Sequence, residues 1–196
     1  ISKTVQNKTA NNVIVQSEAF VNASGNQVQP SSALPFFGKQ MDVEKIVNIY
    51  RTASEVQVLK VVGRLSTSVM RNSSPSGESG LGNLIADAQW SSTASAERGR
   101  SDFALMNPGG VRADILIQQG GGTVNFGQLF KVQPFGNTLV VKRMTGQQVK
   151  DLLEHQFANL DRPKVLFPSE SLKYEVDRRQ PKGQRVLNIQ IGQKPL

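Results

Sequence analysis

The chain has 196 residues, a formal net charge of +8 from 23 Lys+Arg against 15 Asp+Glu, one His and no Cys. That length supplies one domain or little more, with enough apolar residues for an ordinary core. The absence of Cys excludes disulfides, thiol catalysis and thiolate metal sites, and His155 alone excludes a multi-His metal centre, while no apolar run reaches the roughly 18 residues of a membrane span.

Residues 1–40 read as a linker or approach segment. They open without an initiator Met or a signal-peptide h-region, which reads as a chain cut from something longer. A strand-like stretch at 12–16 is followed by a turn-rich one at 30–38. From Asp42, placed as N-cap, the apolar residues Val43, Ile46, Val47 and Tyr50 recur at helical spacing. Residues 58–65 read as a strand. The Ser-, Pro- and Gly-rich loop 72–80 feeds a helix over 81–96, with Leu81, Leu84, Ile85 and Ala88 on one face.

Residues 102–106 are a short buried strand, and 107–112 form the loop leaving its C-terminal end. A glycine turn at 120–122, a short helix or turn at 125–131 and a loop at 133–137 follow. Residues 139–144 read as a strand, leading into a helix over 145–160. That helix is capped by Thr145 and buries Val149, Leu152, Leu153 and Phe157. Strands at 165–167, 172–176 and 186–191 complete the chain, the last two joined by the basic turn 177–185. Helices and strands alternate without a strict βαβ rhythm, so the fold class is α+β, with mixed α/β layers and helices packed on mixed sheets.

Of the +8 charge, +5 falls within 142–196. Such a balance suits anionic partners, or is simply a solvated basic surface. No dense Lys/Arg block interleaved with aromatics appears, so nucleic acid is not favoured.

Three segments carry chemistry. In Asn107-Pro108-Gly109-Gly110-Val111-Arg112, paired glycines let backbone N–H groups approach a ligand, and Arg112 offers a planar fork for carboxylate or phosphate. The alternative is a tight turn with an exposed Arg. In Gly77-Glu78-Ser79-Gly80-Leu81-Gly82, a helix N-terminus could seat an anion, but Glu78 puts negative charge there. A structural role for Glu78, capping the helix or holding an Arg, is favoured. In Pro134-Phe135-Gly136-Asn137, a rigidly held ring could stack on a base or plug the core. His155, between Glu154 and Gln156, reads as a surface histidine.

Gly-Glu-Ser-x-Leu-Gly-Asn-Leu-Ile-Ala-Asp-Ala (77–88), Asn-Pro-Gly-Gly-Val-Arg (107–112), Pro-Phe-Gly-Asn (134–137) and Leu-Leu-Glu-His-Gln-Phe (152–157) occur in one order. Together they resemble the C-terminal, substrate-binding domain of the bacterial 5′-nucleotidase / UDP-sugar hydrolase family. The likeness covers most of the chain from about residue 41, including the tail 172–192.

The resemblance implies that Asn107 and Arg112 grip the phosphate or ribose end of a nucleotide, with Gly109 and Gly110 lining the same pocket. It implies that Phe135 is one of two rings sandwiching the base, that Asn137 contacts the base, and that Arg71 is the nearest candidate for a further family Arg. Catalysis would reside in an N-terminal metallophosphoesterase domain carrying two divalent metal ions, absent from this sequence. This chain then has no catalytic or metal-binding residue of its own and is expected to be inactive alone. A final family segment with the second ring is also absent, so nucleotide binding is expected to be weak. The implied setting is periplasmic, cell-surface or extracellular, with a nucleotide and the catalytic domain as partners. The reading from a different class is a non-catalytic anion- or nucleotide-binding interaction module.

Overall fold

The computed structural model describes residues 40–118, 120–161 and 163–196, together with the backbone of three short strands nearer the N-terminus. Those strands are β1 (Ile14–Gln16), β2 (Ala19–Val21) and β3 (Gln27–Val28), which form one antiparallel sheet in that order. The turn expected at 30–38 lies outside the described residues. The chain divides into two compact units, Ile1–Thr52 and Ala53–Leu196.

Helix α1 (Met41–Leu59) carries Asp42 and Glu44 in its first turn. Asp42 is thus inside the helix rather than at its cap, where its charge complements the positive end of the helix dipole. The helix also runs through 58–59, so β4 begins at Val61 (Val61–Leu65) and not at 58. Glu55 and Gln57 are good helix formers, whereas the β-branched pair Val61-Val62 favours the pleated strand. No residue of α1 is buried, and the expected apolar stripe is open, from Val47 at 46% to Tyr50 at 72% exposed.

Helix α2 (Gly80–Thr93) is capped by Ser79, whose extended backbone lets its hydroxyl accept from the Gly82 N–H at 2.9 Å. Its buried face is Leu81, Gly82 and Ala86, with Ile85 packed alongside, whereas Leu84 and Ala88 are exposed. The face is rotated from the expected one because a glycine makes the central contact. A Cβ on Gly82 would lie 1.9 Å from Cδ2 of Phe167.

Strand β5 (Leu105–Met106) pairs antiparallel with β7 (Phe167–Pro168), setting Met106 opposite Phe167. The expected strand at 102–106 is cut to two residues. Pro168 has no N–H to extend the ladder, and Ser169 takes over, its N–H donating to the Ala104 carbonyl and its hydroxyl accepting from the Ala104 N–H. β4 pairs antiparallel with β6 (Gly122–Asn125), which enters α3 (Phe126–Val132) through a capping box between Asn125 and Gln128. The glycine turn before β6 needs glycine, since φ is +91° at Gly120 and +102° at Gly121. Leu81, Ala86, Met106, Val124, Val132 and Phe167 belong to the first core.

Helix α4 (Gly146–Gln156) opens on a capping box between Thr145 and Gln148. It ends short of the expected 160, with Phe157 just beyond it. Val149, Leu153 and Phe157 pack with Val165, Leu172, Val186 and Ile189 as a second core. The last sheet has the order β10-β9-β8, formed by β8 (Leu172–Val176), β9 (Val186–Ile191) and β10 (Lys194–Pro195). The expected strand at 139–144 has no ladder partner among the described residues, and its Leu139, Val140, Val141 and Met144 are exposed. The class is α+β, and every ladder among the described residues is antiparallel.

Candidate functional site

A cavity of about 1100 Å³ is lined by the end of β5, the 107–110 turn, the 137–144 run, the Val149 and Leu152 side of α4, and Leu196. Five of the seven candidate site residues line it: Asn107, Gly109, Gly110, Phe135 and Asn137. Arg112 and Arg71 do not.

The turn follows from its sequence. Pro108 starts a single 3-10 turn (Pro108–Gly110), closed by the Gly110 N–H donating to the Asn107 carbonyl at 3.0 Å and the Val111 N–H to the Pro108 carbonyl at 3.1 Å. A Cβ on Gly110 would lie 2.3 Å from the Met106 methyl, so a side chain there must displace the methionine. Gly109 is open, with nothing nearer its Cβ position than Asn107 Nδ2 at 3.5 Å. Two amides address the Met106 sulfur beneath the turn, Gln89 Nε2 at 3.3 Å and Gln133 Nε2 at 3.6 Å. Gln133 Nε2 also reaches the Gly110 carbonyl at 3.4 Å.

Arg112 is anchored by its N–H donating to the Val132 carbonyl at 2.9 Å. Its Nη1 lies 3.4 Å from the Gly109 carbonyl, and its guanidinium sits over the Phe135 ring. Phe135 is 48% exposed, so it does not plug the core. Arg71 stands on the other side of Arg112: its Nη1 donates to the Arg112 carbonyl at 3.3 Å, and its backbone N–H to Asp114 at 2.8 Å. Arg71 thus buttresses the loop rather than lining the cavity.

Glu78 does not cap α2, since Ser79 does. Its carboxylate accepts from Asn83 Nδ2 at 2.9 Å, and the same amide donates to the Pro168 carbonyl at 3.1 Å. His155 is exposed on α4. The sequence reading missed Gln89 and Gln133, and also Arg100, Lys142 and Arg143, which line the cavity with Asp102. Gln133 stands next to the Pro-Phe-Gly-Asn motif and was open to notice. Arg100 is brought in by the tight Gly99-Arg100 turn, with φ +113° and +50°, which no periodicity announces.

A smaller cavity of about 250 Å³ includes Glu78, Asn83, Ser169 and Tyr174 in its lining. The Tyr174 hydroxyl is pushed up to about 12, first by burial and then by the negative charge of Glu78. The Gln156 amide opposes this weakly, but it stops short of hydrogen-bonding geometry with the hydroxyl. At the β8–β9 turn, Arg179 donates to both carboxylate oxygens of Asp177, at 2.9 and 3.0 Å, and holds that carboxyl well below its ordinary range.

Among the described residues no group of three or more His, Cys, Asp or Glu is placed to hold a metal ion. With one His and no Cys in the chain, the donor set does not fit a two-metal phosphoesterase centre.

In comparisons with known proteins, the chain is 36% identical over 115 residues to the trifunctional nucleotide phosphoesterase protein YfkN of Bacillus subtilis, covering 58% of this chain and 8% of that protein. It is 27% identical over 151 residues to the endonuclease YhcR of the same organism, covering 77% and 11%. A crystal structure of the 5′-nucleotidase precursor from Thermus thermophilus superposes with a TM-score of 0.61 at 25% identity, over 88% of this chain and 34% of that one. The chain thus spans about a tenth of these two curated relatives and a third of the solved one. The family model for the 5′-nucleotidase C-terminal domain matches residues 38–196, and the chain belongs to that family.

Proposed function

We propose that residues 41–196 are the substrate-holding domain of a metal-dependent, exported 5′-nucleotidase-type phosphoric ester hydrolase, whose bond-breaking groups lie on a domain outside this sequence. The observation that supports this most is the convergence of Asn107, Gly109, Gly110, Phe135 and Asn137 on one cavity, with the Arg112 guanidinium beside its aromatic. Such a set divides labour chemically. Phe135 offers a π-face to a base, Asn137 a two-way amide for its edge, and Asn107 with Arg112 donors for ribose hydroxyls or phosphate. Rigid placement of the substrate is what such a domain contributes to catalysis elsewhere.

The proposal is tested by calorimetric or NMR titration of the 196-residue chain with AMP and with inorganic phosphate. AMP is expected to bind weakly, with a preference over phosphate that disappears in Phe135→Ala. Equal binding of the two anions in wild type and variant overturns it. No phosphate release from AMP is expected with added Mn²⁺ or Zn²⁺, and release by the pure chain overturns the assignment of chemistry to another domain.

The second reading, a non-catalytic anion-binding module, draws on Arg100, Lys142 and Arg143 at the same cavity. It predicts affinity that falls steeply with salt and ignores the base.

A further inference from the structure

The loops 107–112 and 133–137 are tied together twice. One tie is the Arg112 guanidinium over the Phe135 ring. The other is Gln133, two residues before that ring. Its Nε2 donates to the Gly110 carbonyl at 3.4 Å and reaches the Met106 sulfur at 3.6 Å. The backbone from which this side chain extends is itself anchored. The Gln133 N–H donates to the Leu129 carbonyl at 3.0 Å, and the Val132 carbonyl accepts from the Arg112 N–H at 2.9 Å. Gln133 is a short strut between the end of α3 and the turn.

The turn needs such a strut. The Pro108–Gly110 turn uses the carbonyls of Asn107 and Pro108 for its own bonds and leaves those of Gly109 and Gly110 over. Glycine lets a peptide plane rotate at little steric cost, so two adjacent glycines fix no orientation by themselves. Asn107 does not cap the turn with its side chain. Both leftover carbonyls are met by side chains from outside the turn. Arg112 Nη1 takes that of Gly109 at 3.4 Å, and Gln133 takes that of Gly110. Gln89 offers a comparison, because its Nε2 also meets the Met106 sulfur, at 3.3 Å, but goes no further toward the turn.

We propose that Gln133 is a positioning residue, which fixes the Gly109–Gly110 backbone at the cavity and keeps the turn in register with Phe135. It acts through the Gly110 carbonyl and not by touching the ligand. Supporting contacts of this kind decide how accurately a site is placed. The effect on AMP binding rests on the nucleotide reading above, whereas the hold on the turn does not.

The test compares Gln133→Leu with Gln89→Leu. Each removes one amide from the Met106 sulfur and keeps a side chain of similar bulk, but only the first removes a bond to the turn. In ¹³C,¹⁵N-labelled protein, Gln133→Leu is expected to shift the Gly110 carbonyl carbon and the Val111 amide nitrogen more than Gln89→Leu does. Calorimetric titration with AMP is expected to show about fivefold weaker binding to Gln133→Leu than to Gln89→Leu, the size of one neutral hydrogen bond. Urea midpoints of the two variants are expected to agree. An unmoved Gly110 carbonyl resonance in Gln133→Leu overturns the proposal. So do equal AMP affinities in the two variants, which would leave Gln133 as a prop for Met106 alone. If the wild-type chain binds no AMP, the nucleotide reading fails, and the Gly110 resonance still decides whether Gln133 holds the turn.

Discussion

The Arg112 guanidinium carbon stands 5.9 Å from the centroid of the Phe135 ring. The two residues come from different loops, and each limits the other. The ring face under the guanidinium is engaged, so a base must use the free face or displace the arginine. Replacing Phe135 with Ala is expected to weaken AMP binding by roughly 1–3 kcal/mol, the usual contribution of one base-stacking ring. Calorimetry on Phe135→Ala, Arg112→Ala and the double variant measures their coupling. Strictly additive losses would mean the pair does not act together.

Gly82 and Gly109 make a matched pair of tests for stability. At Gly82 an added methyl meets the face of a buried ring, and Gly82→Ala is expected to destabilise by about 1–3 kcal/mol. At Gly109 the space is open and φ is not in the left-handed region. Gly109→Ala is therefore expected to stay within about 0.5 kcal/mol. Urea unfolding of the two variants distinguishes these outcomes.

Glu154 is buried, and its Oε1 accepts from the Val186 N–H at 2.7 Å, while Oε2 has no partner in the structure. Glu154→Leu strands a buried backbone donor and is expected to cost about 1–3 kcal/mol. Glu154→Gln keeps an acceptor for Val186 and is expected to cost less. Thermal melts that rank the two the other way would show that the bond to Val186 is not what Glu154 contributes.

Tyr174 predicts an alkaline weakness. Its hydroxyl titrates near 10 when unfolded and about 12 when folded. Between those values the folded state holds the proton that the unfolded state has lost. This contribution is complete below pH 10 and is lost as pH rises toward 12. Stability measured by urea unfolding should therefore fall across that window, and Tyr174→Phe should flatten the fall. An unchanged slope in the variant would place the alkaline sensitivity elsewhere.

Much of this architecture is legible in the sequence because local chemistry decides it. Thr145 with Gln148, and the apolar spacing of Val149 and Leu153, announce α4 without tertiary help. The cavity-lining loops are equally legible, since Asn107 to Gly110 and Pro134 to Asn137 are punctuated by Pro and Gly. What escapes is set by distant partners. Leu84 looks like a core residue, but the ring of Phe167 over Gly82 decides which face of α2 is buried. Residues 139–144 have the pattern of a strand, but no neighbour among the described residues gives them a ladder. Arg71 lies near the right loop in sequence, yet its guanidinium is engaged by the Arg112 carbonyl. Sequence distance does not reveal on which side of a loop a side chain stands.

The packing of Phe167 over Gly82 also bears on how the chain is made. The first core contains Leu81, Ala86, Met106 and Val124, yet Phe167 enters it only after all of α4 has been synthesised. A nascent chain ending before that residue leaves Gly82 facing an empty slot. The strand pair β5–β7 is likewise unavailable until then, and closing so long a loop is entropically slow. The β8–β9 hairpin, whose partners are neighbours in sequence, is free to form early once released. Assembly of this domain therefore waits on its C-terminal third, since the first core needs Phe167 and the second needs Val186 and Ile189.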